Sequence, residues 1–208
     1  MVIKKRVLRH SFFKLKMNIM KIGILGFQGA FVEHQQHIAA IGHEPVVVRY
    51  PEQLSELDGI ILPGGESTTM GKLLNRTGMM EPLRQRILEG LPVWGTCAGM
   101  ILLAKELVND SVCHLGVMDI AVKRNAYGTQ IDSFKVDVKI PEVSEDPVPL
   151  VFIRAPYITE VRGNVEVLCR VDDNIIAARE GNMLATSFHP ELTENSAFHQ
   201  YFADMCKK

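Results

Sequence analysis

The chain has 208 residues, 47% of them hydrophobic, enough for one ordinary domain with a real core and too few for two large ones. No apolar run approaches the roughly 20 residues that a membrane-spanning helix requires, so no transmembrane segment is expected. Six of the 23 lysines and arginines fall within residues 1–19, where there is no acid, leaving 17 basic against 24 acidic residues in the body, and a body this acidic argues against nucleic acid as a partner.

The basic segment 1–19 lacks the apolar run and small-residue cleavage site of a signal peptide. An organelle-targeting segment and an upstream start or tail outside the fold are both compatible with it, and the expectation is an extension, with the domain running over 20–208. From Met20 onward, short β-branched runs alternate with helical stretches, the signature of βαβ units and a mostly parallel sheet. KIGILGF (21–27) reads as the first strand, followed by a helix over about 30–41 that Gly42 ends. PVVVR (45–49) and GIIL (59–62) are the next strands, then helices over about 68–75 and 81–89, and a fourth strand over 92–95. The pattern predicts a helix over 98–107. Between 116 and 188 the rhythm changes to short alternating runs (DIAV, FKVDVKI, PLVFI, EVLCRV, NIIAARE, MLATSF), read as antiparallel strands added to the sheet, with 141–149 as a surface loop. A helix over 194–205 closes the pattern. The fold expected is a three-layer α/β architecture: a mostly parallel central sheet, helices on both faces, and added antiparallel strands.

Four cysteines are scattered with no C-x-x-C pair, which suggests neither a zinc site nor a disulfide framework and fits reduced thiols in the cytoplasm. One of them stands apart. Gly95-Thr96-Cys97-Ala98-Gly99, between a strand and a helix, has the form of a nucleophile elbow, in which a tight turn projects the central side chain above the sheet edge. A thiol there faces the unpaired N–H groups of a helix start, which favour the nucleophilic thiolate. Cys113, Cys169 and Cys206 lack this context and read as structural.

Proton management is offered by Ser187-Phe188-His189-Pro190-Glu191 at the end of a strand: His189 as acid and base, Glu191 as the group that holds its ring. H-P-E is weak evidence alone and strong beside the elbow, because open α/β sheets place their sites at the C-terminal ends of strands. Pro63-Gly64-Gly65-Glu66-Ser67 follows the third strand. Its glycine pair can turn N–H groups toward an oxyanion, with the amide of Ala98 as second donor. A phosphate loop fails on count and on the missing hydroxyl residue after Lys72, and Gly23, Gly26 and Gly29 miss the dinucleotide fingerprint. His34 and His37, three apart on a helix, read as surface residues rather than metal ligands, and no metal is assigned.

These residues together resemble the class I glutamine amidotransferases. GILGFQGAFVEH (23–34), LPGGESTTM (62–70), GTCAGMILLA (95–104), RNAYGTQIDSF (124–134), FIRAPYI (152–158) and ATSFHPE (185–191) resemble, more narrowly, the glutaminase subunits of two-subunit pyridoxal phosphate synthases. The resemblance implies Cys97 as nucleophile and His189 and Glu191 as the rest of a triad. It places Gly65, Glu66, Ser67, Arg124, Ile153 and Arg154 on the glutamine, and Gly65 and Ala98 in the oxyanion hole. It further implies release of ammonia from L-glutamine to a synthase subunit, with no cofactor on this chain. A γ-glutamyl hydrolase, a glutaminase of another pathway and a silent scaffold on the same fold are the alternatives, the last of these because fold does not fix function.

Overall fold

The computed structural model describes residues 18–124 and 133–207. Residues 1–17, most of the expected extension, and 125–132, the middle of RNAYGTQIDSF, lie outside the described residues.

Four βα steps build one half of the main sheet. Strands β1 (Lys21–Leu25), β2 (Glu44–Val48), β3 (Gly59–Leu62) and β4 (Val93–Thr96) are joined by helix α1 (Phe31–Ala40), a 3-10 turn at Pro51–Glu56, and helices α2 (Ser67–Arg76) and α3 (Met80–Leu88). They lie in the order β2-β1-β3-β4, all parallel, as connections through helices require. The other half follows α4 (Ala98–Leu103) and comprises β5 (Ala104–Leu107), β6 (Met118–Lys123), β9 (Tyr157–Val161), β10 (Glu166–Val171), β11 (Asn174–Glu180) and β12 (Met183–Thr186), with α5 (Ala197–Met205) last. The order continues β12-β11-β9-β6-β5, and β10 pairs with β11.

Side chains along a strand alternate between faces, so both faces of this sheet carry a core. Ile60 and Leu62 of β3 and Val93 of β4 pack toward α2, α3 and α4, with Met70, Leu74, Leu83 and Met100. Ile61 and Trp94, their neighbours in sequence, pack on the opposite side with Ile38 of α1 and Phe198 and Phe202 of α5. The three layers expected from the sequence are present, and among the described residues no helix is long and apolar enough to cross a membrane.

Four expectations are corrected. The helix after the elbow stops at Leu103, because the carbonyls of Leu102 and Leu103 accept from the returning Leu115 and Val117 N–H groups, and residues 104–107 pair in parallel with β6. Tertiary pairing outweighs the helix propensity of AKEL. FKVDVKI and PLVFI do not join the main sheet: β7 (Ser133–Val138) and β8 (Val148–Ile153) pair only with each other, as an antiparallel two-stranded sheet. MLAT, read among the antiparallel additions, is antiparallel to β11 but parallel to β4, and so sits in the middle of the sheet. The closing helix begins at Ala197 rather than 194, where the Asn195 side chain accepts from the Ala197 N–H.

Candidate active site

Cys97 stands between β4 and α4 with φ 49° and ψ −104°, a left-handed φ that a non-glycine residue rarely adopts. Its neighbours impose this shape. The Cys97 N–H donates to the Thr186 carbonyl at 2.8 Å, carrying the β4–β12 ladder one residue past Thr96, and the chain must then turn at once into α4. Strain of this kind is found where a side chain is held for a purpose. Ala98 opens α4, so its N–H belongs to the first turn, which has no acceptor within the helix.

β12 delivers the second group. Thr186 lies opposite Thr96, and three residues later His189 comes back over Cys97. The His189 N–H donates to Val151 O at 2.7 Å, which anchors this loop to β8. The same hairpin ends at Ile153 and Arg154, so the sheet that stands apart from the core positions one wall of the site. His189 Nδ1 lies 2.8 Å from Glu191 Oε1, and the Glu191 side chain is wholly buried. Burial opposes a charge on His189, but its hydrogen bonds with Cys97 and Glu191 outweigh it and push its pKa up to about 10. Burial likewise works to raise Glu191, but the hydrogen bond from His189 together with the electrostatic attraction of the His34 and His189 rings more than offsets it, so the carboxyl stays below its usual range.

Gly64 packs directly against this pair. A Cβ there would fall 3.0 Å from His189 Nδ1, nearer still to Cε1, and 3.4 Å from Cys97 Cβ, so only glycine lets the loop close on both side chains. Gly65 has φ +149°, also glycine territory, and borders Gln28, whose amide donates to Glu66 O at 3.0 Å.

A cavity of about 700 Å³ collects most of the expected residues. Gly65, Glu66, Ser67, Cys97, Arg124, Ile153, Arg154 and His189 line it, joined by Gln28, Gly29, Ile101 and Pro156, which fall within the segments 23–34, 95–104 and 152–158 but are assigned no role there. Glu191 lies behind His189 and Ala98 is buried under the elbow. Arg124 pairs with Asp110 and reaches Thr68 Oγ1 at 3.4 Å. Arg154 has φ 42° and is exposed at the cavity wall. Glu66 acts structurally, since its carboxylate caps α2, accepting from the Thr68 and Thr69 N–H groups at 2.9 and 2.7 Å and from Thr69 Oγ1. The Thr69 hydroxyl, with these amides, outweighs the small desolvation of this exposed carboxylate and takes its pKa down to about 2.

His34 is not the surface residue its sequence context suggested. It is fully buried, with Nε2 3.5 Å from Glu191 Oε2 and Nδ1 2.9 Å from His199 Nε2. Half-buried His37 stacks on His199 at 4.2 Å and meets Ser196 Oγ at 2.8 Å. A signal was present in the sequence: His34 shares the inward face of α1 with Ile38, four residues on. Among the described residues no group of three or more histidine, cysteine or acidic side chains is set to hold a metal ion.

Comparison with known proteins gives a consistent assignment. The family model of the SNO glutamine amidotransferase family matches residues 24–208. The pyridoxal 5'-phosphate synthase subunit PdxT of Carboxydothermus hydrogenoformans is 60% identical over 189 residues, covering 90% of this chain and 99% of that protein. The subunit of the same name from Clostridium kluyveri is 56% identical over 188 residues, covering 90% and 100%. A crystal structure described as a glutamine amidotransferase superposes with a TM-score of 0.84 at 43% identity, covering 89% of this chain and 98% of that one. The PurLQS structure from Thermotoga maritima, at 16% identity and a TM-score of 0.66, shares the fold. With a family model that spans nearly the whole described fold and relatives above half identity over their full length, this chain belongs to the SNO glutamine amidotransferase family.

Proposed function

We propose that this chain is the glutaminase subunit of a pyridoxal 5'-phosphate synthase: it hydrolyses L-glutamine to L-glutamate and ammonia, and a synthase subunit consumes the ammonia in vitamin B6 biosynthesis. The observation that carries the chemistry is Cys97 on its strained turn beneath an imidazole whose far nitrogen is held 2.8 Å from a buried carboxylate. The names of the relatives carry the pathway.

Glutamine enters the cavity with its side-chain amide over Cys97. The thiolate adds to the amide carbon, and the N–H groups of Gly65 and Ala98 receive the oxyanion. His189 donates its proton to the departing nitrogen, ammonia leaves, and a γ-glutamyl thioester remains on Sγ. Water then adds to the thioester as His189 takes its proton, and glutamate departs with the thiolate restored. Arg124 and Arg154 supply positive charge for the substrate's carboxylate, and Ser67 and Ile153 line its chain. The Glu66 carboxylate is committed to its cap, so its part at the substrate is through the main chain. The catalytic domain is 20–208. Four free cysteines fit a reducing compartment, and the cytoplasm is the location proposed.

The test is glutamate release from glutamine by the purified chain, alone and with the synthase subunit of the same genome, beside Cys97→Ala. Stimulation by the synthase and its loss in the variant are expected. Hydrolysis surviving in Cys97→Ala would remove Cys97 as nucleophile, and no stimulation by a verified active synthase would remove the partner.

A further inference from the structure

Behind the His189–Glu191 pair lies a second, wholly buried polar chain that the reaction above does not use. Glu191 presents Oε1 to His189 and Oε2 to His34, and beyond His34 stands His199 of α5. A carboxylate has only acceptors, so the His34 nitrogen that faces it must carry the ring proton. That assignment fixes the rest. With hydrogen on Nε2, His34 Nδ1 is an acceptor, and His199 must donate from Nε2 across 2.9 Å. The proton order then runs one way, from His199 to His34 to Glu191, and it ends on the oxygen not used by His189. The other polar neighbours leave this order intact: His37, on the same helix as His34, turns its Nδ1 to Ser196, and Trp94 closes one side of the His34 and His199 rings with its Nε1 donating to Thr186.

We infer that His34, held by His199, is a positioning residue for the glutaminase reaction. It presents an N–H to Glu191 Oε2, which has no hydrogen-bond partner in the free chain, and as that contact closes it keeps Glu191 turned so that Oε1 meets His189. The inference rests on the glutaminase reading. Burial keeps His34 neutral, with a pKa of about 4, so it offers Glu191 a single N–H and not a competing positive charge. At 3.5 Å no hydrogen bond is made in the free chain, where His34 Nε2 and Glu191 Oε2 are both buried without a partner; catalytic contacts are often long before substrate binds and close in the substrate complex. With no N–H facing it, Oε2 stays unpartnered in a dry site even with substrate bound, and the carboxylate gains by rotating toward another donor, which loosens its hold on His189. The charged groups that bear on this chain are Glu191 and His189 from the loop after β12, Cys97 from the elbow, His37 from α1 and His199 from α5.

The experiment compares wild type, His34→Leu and His34→Gln, each in complex with the synthase subunit, by kcat and KM for glutamine across pH. Gln keeps an N–H for Glu191 and an oxygen for His199, whereas Leu keeps neither. Expected for His34→Leu is a kcat lower by about 10- to 100-fold with KM little changed, and an alkaline limb moved to lower pH as His189 loses its support. His34→Gln should recover most of kcat and the wild-type limb. Equal loss in both variants would assign His34 a packing role, and an unchanged kcat in His34→Leu would give it none; either result overturns the inference while leaving the glutaminase reading standing. A wild-type complex that releases no glutamate would sink both. A second measurement needs no variant: nitrogen-15 shifts of labelled histidines at pH 7 must show His34 neutral with its proton on Nε2, and a charged ring or a proton on Nδ1 would overturn the assignment.

Discussion

Gly64 is the residue at which chemistry and backbone meet most tightly. Gly64→Ala puts a methyl group into the space of the His189 ring, so the imidazole must move off Cys97 or the loop must open. A displacement near 1 Å at reacting groups costs on the order of 100-fold. Steady-state glutaminase assays of Gly64→Ala should therefore show a kcat fall of that order, with thermal stability changed far less. Cys97, His189 and Glu191 were legible in the sequence because each motif is local: a turn flanked by glycines, and a histidine two residues from its carboxylate. For His34 only its burial was legible, through Ile38 four residues on; its polar chain was not, since its nearest partner, His199, is 165 positions away.

Among the elements, α4 is the one whose position is most constrained. It lies so close on the sheet that the Cα of Gly99 faces the Leu62 carbonyl of β3 and Gly95 faces the Gly99 backbone, and a Cβ at Gly99 would overlap that carbonyl oxygen. Main chain cannot step aside as a side chain can. Gly99→Ala is expected to lower stability by about 1–3 kcal/mol, read as a reduced midpoint in chemical unfolding. The glycines of the elbow thus serve the seating of α4 as much as the turn itself. At α2 the prediction concerns a cap: Glu66→Ala leaves the Thr68 and Thr69 N–H groups to water and should cost about 1 kcal/mol. Because the folded pKa of Glu66 is lowered, this contribution is present above its ordinary value of 4.5 and fades as pH falls toward about 2. The elements misread from sequence share a cause. Residues 104–107 and the β7–β8 pair have local patterns that suit either outcome, and tertiary pairing decided between them: 104–107 return onto β6, while β7 and β8 pair with each other and stay off the main sheet.

For the molecule as a whole, the buried histidines set how stability responds to pH. An unfolded His34 takes up a proton near 6.5, but the folded one only near 4. Between those values the unfolded chain binds more protons, so stability falls as pH drops, by about 3 kcal/mol over the full window for His34. His199, also held low by burial, acts in the same direction. His189 acts oppositely. Its folded pKa is raised to about 10, so the stability it contributes is full below 6.5 and is lost as pH climbs toward 10. Urea midpoints at pH 4.5, 7 and 9.5 should be highest at 7, and His34→Gln should flatten the acid side alone. At this scale the α/β layering was readable from strand and helix periodicity, whereas the strand order was not, because periodicity carries no information about which strand lies beside which.

The position of β12 has a consequence for how the protein is made. This strand, late in the chain, fills the slot between β4 and β11, and the first residue past β4 hydrogen-bonds to its last one. During synthesis the ribosome releases Cys97 long before Met183, and until then β4 has no neighbour on that side, the elbow has no anchor at Thr186, and no imidazole stands over the thiol. Nascent chains are therefore expected to carry an ordinary cysteine, and the reactive one arises in a single late step that zips the sheet shut.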